Sequence, residues 1–118
     1  MPATNRSSSG QTDNLVPSAA RTTTGNSGVL GSGWGAVSTA RVQLNVTAAS
    51  GTTPNLAVLV EDSLDGTTWN TIGTFSAKTA VAREVINITT PFTDQVRVSW
   101  TITGTTPSFT FTVDAYTE

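Results

Sequence analysis

The sequence predicts an all-β fold, a two-layer antiparallel β-sandwich with about 7–8 strands and an extended N-terminal arm. Three observations carry this. Apolar and polar residues alternate with period two in stretch after stretch, the pattern of a half-buried strand. No segment shows the 3.6-residue period of a long amphipathic helix. Among 118 residues there are 24 Thr and 12 Ser, while only 12% are charged, about half the usual share. A surface so rich in β-branched hydroxyl residues suits strands. One apolar face per strand demands a second layer, which two packed sheets supply.

The elements follow in order. Residues 1–14 (MPATNRSSSGQTDN) are polar and aperiodic, so alone they stay unordered and settle only against a partner. Leu15 to Thr24 is ambiguous; Pro17 confines its start to an edge or turn, and Ala20–Thr24 suits a short strand. Residues 1–24 are therefore read as an arm with a first edge segment, and 25–118 as the sandwich domain. Gly25-Asn26-Ser27-Gly28 is a turn signal and Gly31-Ser32-Gly33-Trp34-Gly35 a loop. Ala40, Val42, Leu44 and Val46 then alternate with Arg41, Gln43, Asn45 and Thr47. Leu56, Val58 and Val60 form the next strand. Asp65-Gly66 turns the chain into Trp69–Phe75, and Val81–Thr89 is a further strand. Val96, Val98, Trp100 and Ile102 alternate with Arg97, Ser99, Thr101 and Thr103, as Phe109, Phe111, Val113 and Ala115 do with Thr110, Thr112, Asp114 and Tyr116.

Gly51-Thr52-Thr53-Pro54 recurs as Gly104-Thr105-Thr106-Pro107. After each copy an alternating strand follows, Leu56, Val58 and Val60 matching Phe109, Phe111 and Val113. Each copy reads as a short loop between two strands, with Pro at its exit. Upstream the copies differ by one residue in phase, which predicts a bulge or longer loop in the first. Two matched loops on one side would make a paired contact surface; equally, one good hairpin is used twice.

The missing residue types exclude much chemistry. With no Cys and no His there is no disulfide, zinc finger, Cys nucleophile, Ser-His-Asp triad or His-based metal site. No catalytic residue, cofactor or metal is expected, and an enzyme is not. Six cations, one Lys and five scattered Arg, form no patch for nucleic acid. No apolar run reaches the length of a membrane span, and residues 1–14 lack a signal-peptide core, so synthesis in a cytoplasm is expected. Glu61, Asp62 and Asp65 are the one acidic cluster; Asp62–Gly66 is too poor in ligands for a calcium loop, and Asp-Gly makes a tight turn unaided. Trp100, in phase with Val98 and Ile102, and Trp69, in phase with Phe75, are expected in the core. Trp34, among glycines, is open to contact.

The stretches Leu15–Thr22, Glu61–Phe75 and Phe109–Val113 resemble small virion structural proteins of tailed bacteriophages, over about 100 residues. The resemblance implies an immunoglobulin-like or jelly-roll sandwich that serves as a capsid decoration protein or a small tail protein. The expected partners are the major capsid protein or other virion subunits, in a homo-oligomer or lattice. A carbohydrate-binding or tail-tip module, and a tail-tube or terminator ring subunit, are the alternatives. The candidate contact residues are Asn5, Arg6, Leu15, Val16, Pro17, Trp34, Thr52, Thr53, Pro54, Thr105, Thr106 and Pro107.

Overall fold

The structure, a computed structural model, describes residues 11–30, 38–90 and 92–118. Six strands form among them and no helix: β1 (Gln11–Arg21), β2 (Gly25–Asn26), β3 (Ala40–Ser63), β4 (Trp69–Thr74), β5 (Ala82–Ile88) and β6 (Gln95–Thr117). β3 has 24 residues and β6 has 23. Either would be roughly 80 Å long if straight, yet the molecule extends 44 Å at most. Both therefore bend, and each serves both layers.

One layer runs β5, the first half of β3, the second half of β6, then β1. The other runs β4, the second half of β3, the first half of β6, then β2. All pairings are antiparallel. The two inward faces meet in one core. Val42, Leu44, Val46, Phe109, Phe111 and Val113 come from the first layer, and Leu56, Val58, Val60, Val96 and Val98 from the second; each is fully buried. Burying side chains of this size contributes roughly 1.5–3 kcal/mol apiece.

The bends lie at the two Gly-Thr-Thr-Pro segments. The sequence reading made these loops between separate strands; instead each is a corner inside one continuous strand, and the corners cross with Thr52 paired to Thr105. Gly51 has φ +111° and Gly104 φ +123°, while Thr53 and Thr106 both have φ +47°. A Cβ on Gly51 would lie 2.7 Å from the Thr106 carbonyl oxygen, and one on Gly104 would lie 2.8 Å from that of Thr53. The contact is reciprocal: each corner is glycine because the other passes against it.

The pairing registers carry an internal twofold about this crossing. Ala49 opposite Phe109 is matched by Ile102 opposite Leu56, and Val46 opposite Phe111 by Trp100 opposite Val58. Gly25 opposite Trp100 is matched by Ala82 opposite Val46. Arg21 opposite Phe109 is matched by Lys78 bridged to Leu56. β1, β2 and β3 thus correspond to β4, β5 and β6, two halves interleaved strand by strand. The register shift between Val46 and Ala48 leaves Thr47 as one extra residue, the bulge that the phase difference predicts.

The two matched cations anchor the two halves differently. The Arg21 guanidinium lies 4.8 Å from the Phe111 ring centroid and 5.1 Å from that of Trp100. It donates to the carbonyls of Pro17 (2.8 Å), Ala19 (3.1 Å) and Phe111 (3.1 Å). Burial pulls its pKa below the usual arginine value. Lys78, the chain's one lysine, is buried; its ammonium pairs with the Glu84 carboxylate and donates to Ser76 Oγ at 2.7 Å.

Two local expectations change. Gly25 and Asn26, read as a turn, form β2 against Trp100 and Ser99, where glycine lets the backbone pass close to the Trp100 indole; a Cβ there would sit 3.3 Å from it, a tight contact. Residues 11–14, read as arm, begin β1 and pair with Asp114 to Thr117. Asn14 fixes this start by donating from Nδ2 to Asp114 Oδ1 (2.8 Å) and Thr112 Oγ1 (3.0 Å).

The crossing yields a paired test. Gly51→Ala and Gly104→Ala should each cost more than about 2 kcal/mol in urea denaturation, from a backbone clash at positive φ. Thr53→Gly and Thr106→Gly should be neutral or stabilising by up to ~1 kcal/mol, since glycine takes that conformation without strain.

Candidate interaction surface

The acidic cluster resolves into structural bonds. Asp65 Oδ1 accepts the backbone N–H groups of Thr67 (2.8 Å) and Thr68 (2.7 Å) and closes the turn between β3 and β4. These bonds, Thr68 first, hold its carboxyl well below the usual carboxylate range. Ser63 Oγ accepts from Gly66 N at 2.8 Å in the same turn. Asp62 Oδ2 accepts from Thr93 N at 3.0 Å, and Glu61 Oε1 accepts from Arg97 Nε at 2.9 Å. Each of the three acids thus has its own partner, and no group of three potential metal ligands gathers among the described residues.

The tryptophans divide. Trp100 lies in the core, edge-on to Phe111 at 5.5 Å, and donates from Nε1 to the Thr23 carbonyl at 3.2 Å. Trp69 does not join it. The register shift at Val60/Glu61 inserts Ile72 as an extra residue. The strand phase flips there, so Phe75 is buried while Trp69 lies half-buried with the Arg97 guanidinium 4.3 Å over its ring. The core expectation for Trp69 is corrected accordingly.

The candidate contacts scatter. Asn5, Arg6 and Trp34 lie outside the described residues. Leu15 and Val16, 4% and 1% exposed, are core residues and offer no side-chain surface, because the Asn14/Val16 and Val16/Ala19 register shifts allow both neighbours to turn inward. Pro17 is exposed on β1. Thr52, Thr53, Thr105 and Thr106 are exposed and Pro54 and Pro107 half-buried, side by side along the crossing. The two repeats are therefore brought together into one strip.

A surface absent from that set lies on the outer face of the first layer. The registers align Thr12, Tyr116, Arg41 and Asn87 in one row across β1, β6, β3 and β5, and Asn14, Asp114, Gln43 and Val85 in the next. An open depression of about 210 Å³ is lined by Thr12, Arg41, Gln43, Val85, Asp114 and Tyr116. A second, of about 440 Å³ at the end of the same layer, shares Arg41 and Tyr116 with it. Tyr116 is 42% exposed and Val85 36%. These residues occupy the outward phase of their strands, a visible sequence signal; their adjacency depends on β3 pairing with β6, which the sequence does not display.

No protein-family model and no curated protein matches the chain in sequence. Solved structures do match. The PBSX exported protein XepA superposes on 98% of the chain with TM-score 0.66 and 14% identity, and the chain covers 39% of that protein. The cowpea mosaic virus top component matches 70% of the chain with TM-score 0.49 and 15% identity, over 54% of its own length. The CBM22-1–GH10 modules of Clostridium thermocellum xylanase 10B match 71% of the chain with TM-score 0.49 and 17% identity, over 17% of their length. The likeness is one of fold. The fold is thereby shared with XepA, and the surface has to be judged by its own residues.

The turn makes a pH prediction. A folded pKa below the ordinary value of about 3.9 contributes stability above that value. The contribution is lost as pH falls through the folded pKa. The stability difference between the parent and Asp65→Asn should be constant near neutrality and shrink below about pH 4 in denaturant titrations. A difference that grows with acid would contradict the assigned bonds.

Proposed function

We propose that the chain is a non-enzymatic structural subunit of a bacteriophage particle, a capsid decoration protein that docks on the major capsid protein through the segment ahead of β1. One observation carries the reading: the acidic cluster and the buried lysine are committed to holding the sandwich together. Glu61, Asp62 and Asp65 are each spent on a partner within the fold, and Lys78 and Glu84 on one another. What the chain presents outward is hydroxyl-rich strand surface and strand edges, the material of packing between subunits. The resemblance of the Glu61–Phe75 hairpin and the Phe109–Val113 strand to phage virion proteins supports it, as does the shared fold with the phage protein XepA.

Gln11 enters β1 opposite Thr117, at an end of one layer. On a symmetric shell a weak contact per subunit suffices, because many act together. Removing residues 1–10 leaves every described strand whole. The truncated protein should therefore fold with the parent's denaturation midpoint and fail to co-sediment with particles. Normal occupancy of the truncated form would refute the proposal.

Tyr116 favours a second reading. An exposed aromatic ring among Arg41, Gln43 and Asp114 offers a stacking face and bidentate hydrogen-bonding groups, as a sugar requires. Calorimetric titration with xylohexaose and with chitosan oligomers tests it: heat that disappears in Tyr116→Ala would support a carbohydrate module, and no heat with either would count against one for these sugars.

A further inference from the structure

Among the described residues the two layers end in four strand edges, and three of them are spoiled for pairing. β1 carries Pro17 and two register shifts. β4 is bulged at Ile72. β2 is two residues long. These are the usual devices by which a sheet edge is kept from adding a foreign strand. β5 has none. Its seven residues, Ala82 to Ile88, pair with β3 without a break in register and contain neither Pro nor Gly. Its other edge has no strand partner among the described residues. Every second residue of such a strand turns its N–H and C=O away from the sheet.

We propose that β5 pairs with β5 of a second copy, antiparallel and about a twofold axis, so that the first layer continues across two chains. The strand's own sequence selects the occupant. A twofold perpendicular to the sheet keeps both cores on one side only if it passes through a residue. The one register that pairs all seven residues passes through Val85, the midpoint. Val85, 36% exposed, then meets itself and gives up part of its exposed area. Arg83 faces Asn87 of the second copy, and no like charges oppose. Shifting the axis by one residue toward the N-terminus would set Glu84 against Glu84, which is unfavourable. In the chosen register Glu84 faces Ile86 and keeps its bonds to Lys78 and Ser76. A net charge of −2 adds little long-range repulsion between copies. The pairing brings the two Tyr116 depressions, each bordered by its own Val85, to either side of one seam. It closes as a dimer, since the remaining edges are blocked. The inference concerns contacts between copies of the chain and stands apart from the docking segment ahead of β1, so either can fail alone.

The chain has no cysteine, which makes the test clean. Residues paired across the axis have Cα atoms about 4.5–5.5 Å apart, within the span of a disulfide. Val85→Cys in the full-length folded protein, treated with oxidised glutathione, should form a covalent dimer at least about tenfold faster than Leu64→Cys, through the effective concentration that pairing provides. Leu64 is the more exposed of the two positions, at 83%. The advantage should vanish in urea. Equal rates for the two variants would overturn the proposal. Val85→Lys supplies a second measurement, since an exposed position tolerates it: by sedimentation the parent should be dimeric and this variant monomeric. A parent that stays monomeric, or a dimer indifferent to the substitution, would also overturn it.

Discussion

The structure depends on one steric constraint, the crossing of β3 and β6 at their corners. Two strands of this length can share a small sandwich only if both fold over, and they must do so at the same point, because they remain paired on either side of it. The crossing leaves no room for a side chain on Gly51 or Gly104. It also forces Thr53 and Thr106 to positive φ, a conformation that costs each about 1 kcal/mol or more. That strain is stable because pairing on both flanks over-determines the corner. Once the corners are set, both layers have their central pair of strands, and β1, β2, β4 and β5 have only to add at the sides.

The parts of the fold legible in the sequence are those that need one strand at a time. The alternation from Ala40 to Val46 and from Val96 to Ile102 marks the inward faces correctly, because a half-buried strand writes its burial directly into its residues. Even the extra residue at Thr47 shows, as a phase slip between two repeats. What the sequence hides is whether Gly-Thr-Thr-Pro ends a strand or bends one. Glycine at positive φ and proline suit a hairpin loop and a corner equally, and the partner that decides lies some fifty residues away. Trp69 is hidden for a related reason. A bulge at Ile72 inverts the phase of everything on one side of it, and no local signal announces it. The Tyr116 depressions are hidden more deeply, since four strands that are far apart in sequence contribute to them.

The internal twofold explains why equivalent positions hold similar chemistry on different terms. Arg21 and Lys78 occupy matched sites beside the corners, each bonded to the strand that crosses there. Arg21 has two aromatic faces to lie against and three carbonyls to donate to, which suits a planar guanidinium. Where Arg21 has Phe111 and Trp100, the matched positions on the Lys78 side are Val58 and Val46, and a compact ammonium finds its compensation in Glu84 instead. Removing Glu84 would leave the buried Lys78 ammonium without its counter-ion, a larger loss than the bond itself is worth. Arg21 thus ties β1 to β6 of the other half through the Phe111 carbonyl, while Lys78 is buried and spends its charge on Glu84 and Ser76 within its own half.

A twofold inside one chain has a consequence for its edges. Each edge strand has a counterpart in the other half, so an edge open in one half would by symmetry be open in both. A subunit with two open edges on opposite layers would polymerise without closure. The departures from symmetry fall where they prevent this. β5 is seven residues long while its counterpart β2 is cut to two. β1 and β4, the other matched pair, are both bulged, by different residues. The fold thus uses near-identical halves to build its core and unlike halves to limit its contacts. That division matters most in a chain whose low charge gives it little electrostatic protection against association.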